Sequence, residues 1–148
     1  MEDIQDELVV AAPTAEVWDG IRDPARHAQW HPALTRIDGD HTLGAVRQCD
    51  VIVGNKAGRT AERCTSFDEG RRIMWTVEED STGFSRMVSD WSAGFTLEPH
   101  GDGAARVVAR SVFQPNTLLT RLMLPMIRRK FHQTQRGILA GLKQHLES

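Results

Sequence analysis

Residues 117–146 read TLLTRLMLPMIRRKFHQTQRGILAGLKQHL. Leu119, Met123, Ile127, Phe131, Ile138 and Leu142 recur at helical spacing, with Leu122 and Met126 beside them. This apolar stripe predicts one helix of about 45 Å at a rise of 1.5 Å per residue. Pro125 lies inside it. Its missing N–H predicts a kink where the bond to the Arg121 carbonyl is lost.

The sequence before this stretch has a different period. Ile73, Trp75 and Val77 share one face of an extended segment, and Trp91, Ala93, Phe95 and Leu97 share another. Val107, Ala109, Ser111 and Phe113 form a third set, which sends Arg106 and Arg110 outward. Strands are expected near 4–11, 33–40, 44–53, 59–67, 71–79, 84–98 and 104–114, separated by Gly, Asn and Asp turn residues. Connections this short imply antiparallel pairing. Two short helices follow the first strand. Thr14 is placed to cap one containing Val17, Trp18 and Ile21. Asp23 and Pro24 start the other, as N-cap and first helical residue. The second must stop near Trp30, because Pro32 disfavours helical geometry at His31.

The expected architecture is α+β: a curved seven-stranded antiparallel sheet wrapped around a long C-terminal helix, with two short helices after strand 1. One helix is narrower than such a sheet, so a cavity lined by sheet residues and the helix stripe is expected between them.

The 148 residues, 40% hydrophobic and 26% charged, fit one globular domain over 1–148. A net charge of −2 supplies no global field for nucleic acid, so nucleic acid is not expected as a partner. Cys49 and Cys64 alone imply no disulfide framework and suit a reducing compartment. The start, MEDIQDELVV, has neither the basic nor the long apolar region of a signal peptide. The most apolar run, LLTRLMLPMI at 118–127, is too short to span a bilayer and contains Arg121. A soluble, cytoplasmic protein is the reading.

The order of elements, with APTAEVWDGIRDPARHAQWHPAL and GAVRQCDV…GRTAERCTSFDEGRRIMWTV, resembles the START-like, Bet v 1-like (SRPBCC) superfamily of polyketide cyclase/dehydrase and lipid-transport domains. The pieces that carry the likeness are P-x-x-x-V-W at 13–18, D-P…W-H-P at 23–32, G-x-V-R at 44–47 and E-R…F-D-E-G at 62–70. The resemblance spans essentially the whole chain. It implies a helix-grip fold with a hydrophobic pocket, and Trp30 as a plug that seats the short helices at one end. Members range from hormone receptors to aromatase/cyclases and lipid carriers, so the fold does not settle activity.

The segment from Gly44 to Asp68 also resembles abscisic-acid receptors of this superfamily. The likeness implies that Glu62 points into the pocket and holds a polar group of the ligand. In that register Arg47, Cys49 and Val51 face inward on one strand, and Thr60, Glu62 and Cys64 on the next. A buried charge needs a partner, and an Arg47–Glu62 pair would supply it; the competing reading turns one or both to solvent. The receptors' gate loop has no match in VGNKAGR at 53–59, so receptor function is not implied.

Trp75, Val77, Met87, Trp91, Phe95, Phe113, Met123, Met126, Ile127 and Phe131 are the further candidate ligand-binding residues; the same side chains also serve as core. His27 and His31 stand four apart, but zinc needs a third protein ligand and none is well placed. They read as surface or helix-end histidines, and no metal is expected. Cys49 and Cys64 would be cross-strand partners if their hairpin turned at Lys56–Ala57; two apolar wall residues are the plainer reading than a redox pair. Asp90 alternates with Trp91 and should face outward. The last helix carries Arg121, Arg128, Arg129, Lys130, Arg136 and Lys143 with no acid before Glu147. That run is either a solvated face or a contact for an acidic protein or an anionic lipid surface.

No serine-nucleophile elbow, phosphate-cradling glycine loop or Cys/His nucleophile arrangement is present, and no cofactor is expected. The chain lacks tyrosine, which some cyclases of the superfamily use in their pockets. Three functions compete: binding of a lipid, isoprenoid or polyketide-like molecule; a polyketide aromatase/cyclase or dehydratase in which Arg47, Glu62 or His31 moves protons; and a protein-interaction module using the basic helix.

Overall fold

The computed structural model describes residues 1–53 and 55–148. Strands β1 (Glu2–Val10), β2 (Leu34–Asp38), β3 (Val46–Val53), β4 (Lys56–Asp68), β5 (Arg72–Asp80), β6 (Val88–Pro99) and β7 (Ala105–Pro115) form one antiparallel sheet in the order β1-β7-β6-β5-β4-β3-β2. Helices α1 (Thr14–Arg22) and α2 (Pro24–Trp30) follow β1, and α3 (Leu118–Leu122) and α4 (Leu124–Glu147) follow β7. A 3-10 turn, Phe84–Arg86, joins β5 to β6, where a longer β6 was expected.

Local chemistry explains the helix ends. The Asp23 side chain accepts the Ala25 N–H at 3.0 Å, and Pro24 takes the first turn of α2, where its missing N–H costs nothing. His31, ahead of Pro32, is extended, and α2 stops there. The N-cap of α1 is Pro13 rather than Thr14, without a side-chain bond.

The C-terminal segment departs from the single kinked helix expected over 117–146. It breaks at Met123 into two helices, with Pro125 in the first turn of the second. Proline cannot bond the Arg121 carbonyl, and its ring would crowd that turn. Restarting the helix puts proline where helices tolerate it. Thr117 caps α3 by accepting the Thr120 N–H at 3.1 Å.

Helix α4 lies over β1 and β7, and α2 lies against β2, so the helices bridge the two edges of the sheet. The main core joins Val10, Val17, Trp18, Ile21 and Trp30 of the first elements to Ile73, Trp75, Phe95, Val107, Leu139 and Leu142. A second cluster at the other end holds Ile4, Val88, Phe113 and Ile127. Asp6 of β1 pins α4 through His132 Nδ1 at 2.8 Å, Gln135 Nε2 at 2.9 Å and Arg136 Nε at 3.2 Å. Arg128 bonds Glu2 at 2.7 Å. Part of the basic helix face is thus neutralised by β1.

Trp30 does seat the short helices. Its Nε1 donates to the Gly20 carbonyl at 2.9 Å, and its own backbone oxygen would lie 2.4 Å from any Cβ placed on Gly141. Gly137, one turn earlier on α4, has open space around it. Alanine at these two positions is therefore expected to act in opposite directions. Gly137→Ala gains helix propensity and stabilises by about 0.5–1 kcal/mol. Gly141→Ala forces α4 off α2 and costs about 1–3 kcal/mol. Thermal unfolding of the two variants reads the signs; two stabilised variants would mean that α2 and α4 do not meet this closely.

Candidate functional site

Strand β3 alternates, burying Arg47, Cys49 and Val51. The β3–β4 register pairs Arg47 with Glu62 and Cys49 with Thr60, and the β4–β5 register pairs Cys64 with Trp75. Val53 pairs with Lys56, so the hairpin does not turn at Lys56–Ala57, and this register separates Cys49 from Cys64. Burial pushes the Cys49 thiol up to about 12 and raises Cys64 as well, so both stay protonated and inert.

Arg47 and Glu62 both face inward, and they meet. The Arg47 side chain is 4% exposed and that of Glu62 is 11%. Arg47 Nε and Nη2 donate to Glu62 Oε1 at 3.0 and 2.7 Å. Thr60 Oγ1 donates to Glu62 Oε2 at 2.7 Å. The guanidinium carbon stands 3.7 Å from the centre of the Trp75 ring, a cation–π stack. Arg47 Nη1 contacts His41 Nε2 at 2.8 Å.

That contact fixes a proton. Guanidinium only donates, so His41 Nε2 accepts and its Nδ1 carries the hydrogen. His41 Nδ1 then donates to the Ile21 carbonyl at 3.0 Å, and His27 Nδ1 donates to the same oxygen at 2.9 Å. This carbonyl lies in the last turn of α1, where helix oxygens lack helical partners. His31 has the other tautomer, because its Nδ1 accepts the Ala33 and Leu34 N–H groups at 3.1 Å each. The His27 ring packs against both Trp30 and His31, at 4.7 and 5.3 Å, and those two rings are 5.6 Å apart.

All three imidazoles are neutral. Burial, then the charge of Arg47, brings His31 and His41 down to about 3. The same causes hold His27 well below its ordinary value. Two features of the cluster remain chemically open. Arg47 has five N–H donors by its chemistry, of which these contacts use three. His27 Nε2, an acceptor, and Trp75 Nε1, a donor, are buried without a hydrogen-bond partner among the described residues.

The expected residues fall in three places. Arg47, Glu62 and Trp75 form the polar cluster, with Cys64 paired to Trp75, Val77 half-buried opposite Glu62 and Phe95 beside Trp30, while Val51 packs apart from them with Leu34 and Cys49. Phe113 and Ile127 are buried at the other end, where the half-buried Met87, Trp91, Met123 and Phe131 pack against them. There Trp91 meets Phe84 edge-on at 5.0 Å, and Phe131 stacks on Phe113 at 4.8 Å. Met126 is a correction: it lies exposed on α4, because the helix restart turns its face outward. His27 is a second. It is fully buried rather than a surface or helix-end histidine, since it shares one face of α2 with Trp30. Thr60 faces inward beside Glu62, as the receptor likeness implies, whereas His41 and Phe84 carry no signal in the sequence. Asp90 is exposed at a bulge in β6, as expected, with a positive φ of 52°.

Two clefts open beside these elements, and neither lies between α4 and the sheet. One, about 530 Å³, is a polar cleft between α1–α2 and the loop before β3, with His41 in its wall beside Arg22, Asp23, Arg26 and Asp40. The other, about 330 Å³, runs along β2 and β3 past Arg36, Gln48 and Arg59. The first gives the buried cluster its neighbour in solvent at His41.

Residues 1–147 match the family described as polyketide cyclase / dehydrase and lipid transport. The chain belongs to that family. Solved structures agree at the level of fold. A START superfamily protein from Mycobacterium smegmatis is 13% identical, with 98% of this chain and 97% of that one covered and a TM-score of 0.80. The Zhui aromatase/cyclase from Streptomyces sp. R1128 is 16% identical over 99% and 93%, with a TM-score of 0.79. A norcoclaurine synthase from Thalictrum flavum is 14% identical over 99% and 96%, at 0.72. No curated protein matches the chain in sequence. The sheet and long terminal helix are thus the helix-grip fold of START and Bet v 1-like proteins. Among the described residues no helix is long and apolar enough to cross a membrane.

Proposed function

We propose that the whole chain, as one START-like domain, binds a hydrophobic small molecule of lipid, isoprenoid or polyketide type that carries a carbonyl or similar oxygen. The oxygen would take the unused Arg47 N–H groups, and the apolar body would lie along Trp75 and Val77 toward Met87, Trp91 and Phe131. The observation that carries this reading is the Arg47–Glu62 pair itself. An apolar pair of similar volume would serve folding as well or better, so a buried, oriented guanidinium with spare donors points to recognition. The unpartnered His27 Nε2 and Trp75 Nε1 add an acceptor and a donor in the same cluster. Two buried, free cysteines suit a cytoplasmic setting.

The cyclase or dehydratase reading is weaker on chemical grounds. A general base works best with a pKa near the operating pH. His31 and His41, at about 3, are poor bases at neutral pH. The positioned group is a donor, which suits holding an oxygen more than removing a proton.

Native mass spectrometry of freshly purified protein tests the proposal, alongside titration of a matched long-chain ketone and hydrocarbon. The expected result is an added organic mass and a preference of about tenfold or more for the ketone, the scale of one hydrogen bond to a charged donor. In the Arg47→Met/Glu62→Leu double variant the preference should vanish while the hydrocarbon still binds. A bare protein mass together with no binding of either chain would sink the proposal.

A further inference from the structure

Helix α3, Leu118-Leu119-Thr120-Arg121-Leu122, is inside out. Leu118, Leu119 and Leu122 are 73%, 66% and 72% exposed, while Thr120 is buried. A helix in water normally does the reverse. Met126, on the first turns of α4, continues the exposed row. Antiparallel order puts Val53 and its partner Lys56, the β5–β6 connection and α3 at the same end of the sheet, so exposed Ile52 and Val53 belong to that end too. Of the other exposed large side chains, Val9 and Leu43 lie at the opposite end. The apolar surface is therefore concentrated, not scattered.

Charge is concentrated with it. Arg128, Arg136 and Lys143 are paired with Glu2, Asp6 and Glu147. Among the described residues, Arg121, Arg129 and Lys130 have no such partner, and all three are exposed beside the leucines. Exposed leucines interleaved with unpaired cations match an interface with apolar chains under anionic head groups. A plain solvated face explains the cations but not the leucines. Directly behind this rim lies the half-buried cluster of Phe84, Met87, Trp91 and Phe131.

We propose that this end of the molecule docks on an anionic lipid bilayer through α3 and the start of α4. The inference that the bound molecule is taken from or delivered to that bilayer rests on the proposed function; the docking does not.

Sedimentation with phosphatidylcholine vesicles, with and without phosphatidylglycerol, tests it on the full chain. The protein should bind the anionic vesicles only, and added salt should release it. Leu118→Ser/Leu122→Ser and Arg129→Glu/Lys130→Glu should each weaken binding by at least about tenfold. Leu43→Ser, an exposed leucine at the far end, should change nothing. All these positions are at the surface, and circular dichroism checks that the variants fold. Failure to bind anionic vesicles would overturn the docking, as would equal binding by all variants. Capture of an acidic protein through the same residues, with vesicles ignored, would assign the surface to that partner instead. Ketone titration in lipid-free solution reads ligand binding separately, so loss of one result does not entail loss of the other.

Discussion

Glu62→Leu should lower the stability of this protein by about 3–5 kcal/mol, the usual cost of stranding one member of a buried ion pair. The variant removes the acceptor of two Arg47 bonds, at 3.0 and 2.7 Å, and leaves the guanidinium between His41 and the face of Trp75. Neither neighbour replaces a carboxylate. Domains of this kind hold only about 5–15 kcal/mol in total, so a large share disappears. Arg47→Met should cost a similar amount by the opposite route, leaving the Glu62 carboxylate with Thr60 alone. The double variant Arg47→Met/Glu62→Leu should recover most of the loss or exceed the parent, because the desolvation of both ions is then gone. Denaturant unfolding of the four proteins forms a double-mutant cycle and yields the coupling directly. Single losses below about 1 kcal/mol would show that water reaches the pair, and the polar anchor would lose its basis.

Acid should destabilise the fold well above the usual carboxylate range. His31 and His41 titrate at about 3 in the folded protein, against 6.5 as the ordinary value, and His27 is held low in the same way. Between those limits the unfolded chain binds protons that the folded one refuses. Stability then rises with pH, and falls as pH drops below about 6.5. Each imidazole contributes a slope approaching about 1.4 kcal/mol per pH unit, so the three together approach about 4. Asp3 and Asp6, lowered by hydrogen bonds and paired cations, and Asp80, lowered by hydrogen bonds from Thr82 and Ser85, lose stabilisation only as pH falls below about 4. The midpoint of thermal unfolding should therefore decline steeply from about pH 6 to 4.5, before the carboxylates titrate. His27→Phe should flatten that slope by about a third. An unfolding temperature that stays level down to pH 5 would mean that the histidines are hydrated and already free to protonate.

Much of the architecture was readable without coordinates because it rests on local periodicity. Alternation at Ile73–Val77 and Val107–Phe113 assigned faces that the sheet retains. Asp23-Pro24 and His31-Pro32 marked both ends of α2, because caps and proline act within a few residues. The break at Met123 was harder. Pro125 announces a disruption, but a kink and a restart satisfy the same missing N–H, and packing chooses between them.

The site was legible in part. Arg47 and Glu62 stand out through family likeness, and their mutual contact depends on a register in which Val53 pairs with Lys56. A shift of one residue would bring other pairs together. The role of His27 had no local signal: its ring is buried only because α2 folds back under β2 and places it beside His41 and Trp75.

The sequence by itself determined the elements, their order and the side chains available to a polar anchor, since propensity and period are short-range properties. Tertiary structure alone decided that Arg47 is shared by Glu62, His41 and Trp75, that three histidines are held neutral, and that three leucines of α3 are wet. Those outcomes depend on which distant surfaces exclude water, and solvent exclusion is a property of the assembled layers rather than of any segment.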